Sequence, residues 1–278
     1  MTCYPIDTGY FKLDGGAMFG VVPQSIWKKL NAPDNNNLCQ WAMRCLLIEE
    51  GDKLILIDTG IGAKQDPTFL KHYHLNGDAT LVDSIHKAGF SVDEVTDVIL
   101  THLHLDHVGG ATQFKTGSTG IVPTFPQANY WVHQGQWDWA TVAPNPREKA
   151  SFLTENLAPL QASGQLHFIQ ETKSPFSFIN FFLADGHTEK QLIPLIKEKD
   201  RTLAYAADLI PSVAHIPLAY LASYDVRPLL AMEEKERFLK QALQENWTLF
   251  FEHDPVYQTS GLIMTEKGIR CNQGSLVQ

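Results

Sequence analysis

A chain of 278 residues with 44% hydrophobic and 19% charged residues is ordinary globular material, long enough to bury a full core. Its net charge of −9, with no basic run longer than Lys28-Lys29, argues against phosphate-backbone binding and points to a small, mostly neutral molecule as partner. No apolar run reaches membrane-spanning length and Met1 to Asp7 lack the features of a secretory signal, so the expectation is a cytoplasmic protein with no membrane partner, a homodimer being left open.

Residues 10–30 carry an apolar pattern broken by Gly15, Gly16 and Gly20, which reads as a strand, a glycine loop and a second short strand. A polar loop at 31–37 follows. Residues 45–49 and 53–58 flank Glu50-Gly51-Asp52 and predict a hairpin whose buried second strand ends in Asp58-Thr59-Gly60, where the aspartate is either a turn former or part of a site. His72 and His74 have no acidic neighbour in register and read as solvent-facing or pocket-lining. Residues 81–89 have helical spacing with a glycine stop, placing His86 on a helix surface.

Asp97-Val98-Ile99-Leu100 predicts a short buried strand leading into Thr101-His102-Leu103-His104-Leu105-Asp106-His107. If residues 102–104 are extended, His102 and His104 share one side while Leu103 turns into apolar packing, so one side becomes a ligand face. Asp106 and His107 continue the donor set, and Gly109-Gly110 are expected to permit a sharp backbone path. Imidazole and carboxylate donors suit zinc first, with iron, cobalt, nickel or manganese also accommodated. The four cysteines, Cys3, Cys39, Cys45 and Cys271, form no CxxC pair, which argues against a thiolate site.

Downstream, residues 130–133 predict a strand and 136–140 begin a helical region. Trp131, Trp137 and Trp139 crowd there, as core or as a pocket wall. Residues 147–162 read as helix, 166–169 as a strand, and 176–184 as an apolar strand ending at Asp185-Gly186-His187. A strand over 202–207 ends at Asp208. A loop spans 211–224, a helix 228–246, whose charges at 233–237 read as solvated surface, and a strand over 247–252 ends at His253. The isolated histidines and aspartates best placed to complete the first cluster therefore sit at strand ends. No composition break marks a linker, so residues 1–278 read as one domain.

This order of segments, THLHLDH, then DGH at 185–187, Asp208 and His253, resembles the metallo-β-lactamase-fold metallohydrolases. LDGGAMFG near the N-terminus and FEHDP around His253 make the chain most similar to the branch holding acyl-homoserine lactonases and methyl-parathion-hydrolase-like enzymes. The resemblance implies an α/β (α+β) fold, a four-layer αββα sandwich. It also implies two divalent metal ions, zinc by preference: His102, His104 and His187 on the first, Asp106, His107 and His253 on the second, Asp208 bridging. Asp58 matches the family's strand-end turn and is expected to orient a ligand histidine. One departure is that Glu189-Lys190-Gln191 follow Thr188, where many relatives carry a second histidine.

The expected chemistry is hydrolysis of a lactone, carboxylic ester or organophosphate ester by a metal-bridging hydroxide, with Asp106 and Asp208 as catalytic carboxylates. No GxSxG serine site is present. Tyr220, Tyr224 and His215 are candidate oxyanion donors, and Phe19, Trp131 and Trp137 candidate substrate walls. The rival readings are an iron-dependent oxidoreductase or dioxygenase on the same fold, and a non-catalytic binding protein.

Overall fold

The computed structural model describes residues 1–275, in which the chain divides into two compact units. One comprises Met1–Gly9 and Met43–Glu171, the other Tyr10–Ala42 and the chain from Thr172 onward. The last three residues of the expected 1–278 span lie outside the described residues. Strands β1 (Thr2–Asp14) and β2 (Leu38–Glu50) contribute residues to both units.

Between those strands the expected loop and short strand are replaced by two short helices, α1 (Gly15–Phe19) and α2 (Gln24–Trp27). The reason is local: the Asp14 carboxylate accepts from the Ala17 amide, so the glycines open a capped helical turn where a loop was expected.

In the first unit, β2 turns through Gly51-Asp52 into β3 (Lys53–Ile57), with Glu50 paired to Lys53, as the hairpin pattern predicts. Then come β4 (Asp97–Ile99), a small antiparallel pair β5 (Thr112–Phe114) and β6 (Ile121–Pro123), β7 (Asn129–His133) and β8 (Leu166–Ile169). The main sheet runs β1-β2-β3-β4-β7-β8. Its parallel part sets Leu56 beside Val98 and Val98 beside Tyr130, all fully buried, as expected for interior parallel strands. Helices α3 (Pro67–Leu70), α4 (Leu81–Lys87), α5 (Leu105–Val108), α6 (Gln134–Val142) and α7 (Thr154–Ser163) complete the unit. Its core joins Leu47, Leu56, Val98 and Val132 from strands with Ile85 and Leu160 from helices. The helix expected from residue 147 starts only at Thr154: the Asn145 side chain caps the Arg147 amide and bonds Glu148, and a tight turn occupies the interval.

The second unit holds β9 (Ile179–Ala184), β10 (Gln191–Glu198), β11 (Arg201–Tyr205), β12 (Thr248–Phe250), β13 (Thr259–Thr265) and β14 (Gly268–Ser275), in the order β14-β13-β12-β11-β10-β9. Among the described residues of this sheet only β11 and β12 pair in parallel, and α8 (Pro228–Gln244) connects them. It neighbours β9 and β13 and buries Ala231, Glu234, Lys235, Phe238, Leu239 and Ala242, one stripe at three- and four-residue intervals. Two members of that stripe are charged. The 233–237 run is therefore not wholly solvated: Glu234 is 5% exposed and Lys235 0%.

Two six-stranded sheets, each with helices of its own, give a mixed α/β fold. No helix among the described residues is long and apolar enough to cross a membrane.

Candidate metal centre

In the first unit the donor segment begins where β4 stops. Thr101 to His104 run without helix, Leu103 turns into the core at 0% exposure, and the His102 and His104 rings stand with centroids 4.6 Å apart. His107, on α5, brings its ring to 3.9 Å from that of His102. All three imidazoles are buried.

Each ring is tied back through one nitrogen. The Thr101 hydroxyl donates to Asp58 Oδ2 at 2.7 Å, and with its single proton so used it must accept from His102 Nδ1, 3.0 Å away. His104 Nε2 lies 2.9 Å from Glu148 Oε2, and His107 Nδ1 3.1 Å from Asp58 Oδ2. The nitrogens that would serve a metal are then Nε2 of His102, Nδ1 of His104 and Nε2 of His107. Asp106 Oδ2 lies 3.9 Å from the last of these.

Asp58 holds this arrangement from a left-handed backbone, φ 57°, and also accepts from the Thr101 amide at 2.8 Å. Gly109 and Gly110 have a different use from the one the sequence suggests. Neither has positive φ, but a Cβ on Gly109 would sit 2.0 Å from the Ile61 carbonyl and one on Gly110 2.1 Å from that of Thr59. They allow the 59–61 backbone to press against the donor turn.

In the second unit three donors meet on one carboxylate. Asp208 Oδ2 lies 3.1 Å from His187 Nε2, and Asp208 Oδ1 3.0 Å from His253 Nε2. His187 Nδ1 is held by Asp225 at 2.9 Å, and His253 Nδ1 donates to the Ala42 carbonyl at 2.8 Å. Burial pulls the His187 imidazole down, but the Asp208 and Asp225 carboxylates outweigh it and raise it to about 10. His187, Asp208 and His253 follow the ends of β9, β11 and β12, as the sequence predicts.

Glu148 and Asp225 escape sequence reasoning. Glu148 is buried, also accepts from Trp139 Nε1 and Asn145, and stands 44 residues from His104; Asp225 stands 38 from His187. Neither spacing carries a signal, since the chain path alone joins them to their histidines.

Other expectations are corrected. Phe19 is 0% exposed and stacks on Trp27 and His215, so it is core and offers a substrate no surface. Trp137 belongs to the first unit's core. Trp131 stacks on His167 and donates through Nε1 to Asp97, at the start of β4, whereas the histidine segment lies past its end. His215 cannot serve as an oxyanion donor: Nε2 donates to the Met18 carbonyl at 2.8 Å and Nδ1 accepts from Ser212 at 2.7 Å. Burial lowers its pKa to about 4, so it is neutral. Tyr220 is half-buried and Tyr224 43% exposed, both on the 211–224 loop. His72, His74 and His86 are exposed, away from any donor cluster.

Comparison with known proteins agrees with this donor chemistry. The model of the metallo-beta-lactamase superfamily matches residues 44–253. A protein of Mycobacterium tuberculosis described as a probable metallo-hydrolase is 28% identical over 151 residues, covering 49% of this chain and 45% of that one. The chain spans about half the length of the curated relatives it matches. A probable metal-dependent hydrolase from Staphylococcus aureus aligns over 99% of this chain and 96% of its own, with 25% identity and a TM-score of 0.89. AidC, a dizinc quorum-quenching lactonase solved with an acyl-homoserine product, aligns over 99% and 95% respectively, with 25% identity and a TM-score of 0.80.

Proposed function

The chain belongs to the metallo-beta-lactamase superfamily, and from that premise we propose that it is a dinuclear metal-dependent hydrolase of a small, mostly neutral ester, lactone or organophosphate ester. The observation that carries the reading is the donor set: three buried imidazoles crowded at 3.9–4.6 Å, each tied back through one nitrogen, and a carboxylate placed between two further histidines. In this reading the two units act as one hydrolase domain. His102, His104 and His187 would hold one ion, Asp106, His107 and His253 the other, and Asp208 would be shared between them. Zinc suits these nitrogen and oxygen donors first. Bound there, two divalent ions would supply a water of lowered pKa and a Lewis acid for the substrate oxygen.

The chain's own residues have distinct tasks. Asp58, Thr101, Glu148 and Asp225 fix ring orientation and keep each imidazole in one tautomer. The Asp106 side chain, 18% exposed, reaches solvent and can pass a proton to and from it. Tyr220 and Tyr224 lie on the loop after Asp208 and supply phenolic O–H groups for a developing oxyanion. Likeness to a quorum-quenching lactonase supports lactones as one substrate class.

The test is a panel of aryl esters, lactones and organophosphate triesters on purified, metal-assayed protein. At least one class should be hydrolysed, and His104→Ala should lower that rate by at least about 100-fold. Hydrolysis indifferent to chelation and to His104→Ala, or bound iron with oxygen consumption, would overturn the reading.

A further inference from the structure

A lysine with no exposed surface on a long helix needs an explanation, because a helix that only packs would carry leucine or methionine there. Lys235 is 0% exposed on α8, and its Nζ donates to three main-chain carbonyls, those of His215 at 3.0 Å, Pro217 at 3.1 Å and Tyr220 at 2.8 Å. An ammonium has three donors, so each is used, and all three acceptors lie within six residues of one loop. Burial pulls this ammonium down to about 7, an effect opposed by the Asp225 charge.

Elsewhere the loop is held by the buried Ile216 side chain and by contacts at its flanks. On one side the His215 ring stacks on Phe19 at 4.7 Å; on the other the Ser223 amide donates to the Ala17 carbonyl at 2.7 Å. Between them, the Tyr220 amide donates to Pro217 within the loop itself. Leu218 is 38% exposed and Tyr224 43%, so this stretch offers an apolar and phenolic surface next to the segment that carries Asp208. Its neighbour on α8, Glu234, does the complementary work by accepting from the Asp185 and Gly186 amides, both at 2.9 Å, in the turn that delivers His187.

We propose that Lys235 is a positioning residue for substrate recognition: its ammonium gathers the carbonyls of residues 215–220 and so fixes the loop that meets the apolar part of an ester substrate. The proposal rests on the hydrolase reading for its substrate, but the loop it describes is testable without one. Lys235 acts through the main chain, holding Tyr220 and its neighbours in place. Glu234 and Lys235, adjacent and of opposite charge, thereby tie two loops of the second unit to one helix.

The experiment uses Lys235→Met in the full-length, metal-loaded protein with 4-nitrophenyl butyrate as the probe. The expected result is an unchanged metal content, a KM raised about tenfold as the Leu218 surface loses its place, and a kcat lowered about three- to tenfold as the Tyr220 hydroxyl shifts. Chymotryptic cleavage within residues 216–224 should become about tenfold faster as the loop opens. KM or the cleavage rate staying at that of the unaltered protein overturns the proposal. If this ester is not hydrolysed at all, the hydrolase reading is decided by the lactones and organophosphate triesters of the panel, and cleavage alone decides the staple. If Lys235→Met does not fold, hydrogen exchange on the unaltered chain decides: Ile216 and Tyr220 amides protected like those of α8 support the staple, and exchange at solvent rates overturns it.

Discussion

At the scale of single residues, the centre depends on which nitrogen of each histidine is already used. The carboxylates and hydroxyl that tie the rings back are as informative as the ligand histidines, because they select the tautomer. His215 shows the reverse case, with both nitrogens engaged and a pKa near 4. A folded-state pKa below the ordinary 6.5 means that the unfolded chain takes up the proton first as pH falls. Stability from this group is full above about pH 6.5 and is lost as pH drops toward 4, by about 2 kcal/mol between pH 7 and pH 5. Urea unfolding at both pH values should show this loss, and His215→Phe, which keeps a ring beside Phe19, should shrink it. An equal loss in both proteins would contradict the assignment. Sequence spacing showed the histidine and aspartate donors, since strand ends and an i, i+2 alternation are local signals. Glu148, Asp225 and the roles of Phe19 and Trp131 were not legible, because each depends on a partner brought near only by the folded chain.

At the scale of elements, α8 carries more of the site than its surface-like composition suggests. Its buried stripe includes Glu234 and Lys235, each bonded to loop backbone, and its Ala231 backbone presses on Gly186, in the turn before His187. A Cβ at Gly186 would lie 2.3 Å from the Ala231 backbone, which cannot yield as a side chain tip does. Gly186→Ala should therefore cost about 2–3 kcal/mol in denaturant unfolding, whereas a change under about 0.5 kcal/mol would show that the turn does not seat on the helix as described. Periodicity foretold α8 itself and most strands, from β3 to β12. It could not foretell α1 and α2, where an Asp14 cap overrides the strand-and-loop pattern, or that two charges in a polar run face inward. The first follows from a side-chain cap three residues away and the second from hydrogen bonds to main-chain groups distant in sequence, and no hydropathy pattern encodes either.

At the scale of the whole molecule, four of the proposed ligand positions belong to the first unit and three to the second. Membership of the metallo-beta-lactamase superfamily supports the metal-dependent hydrolase reading. The most direct measurement is titration of metal-stripped protein with zinc while following hydrolysis of the best substrate from the panel. The account predicts that activity returns with about two equivalents per chain and that Asp208→Asn abolishes the return. Full hydrolysis without metal, or saturation that leaves Asp208→Asn as active as the unaltered chain, would contradict it.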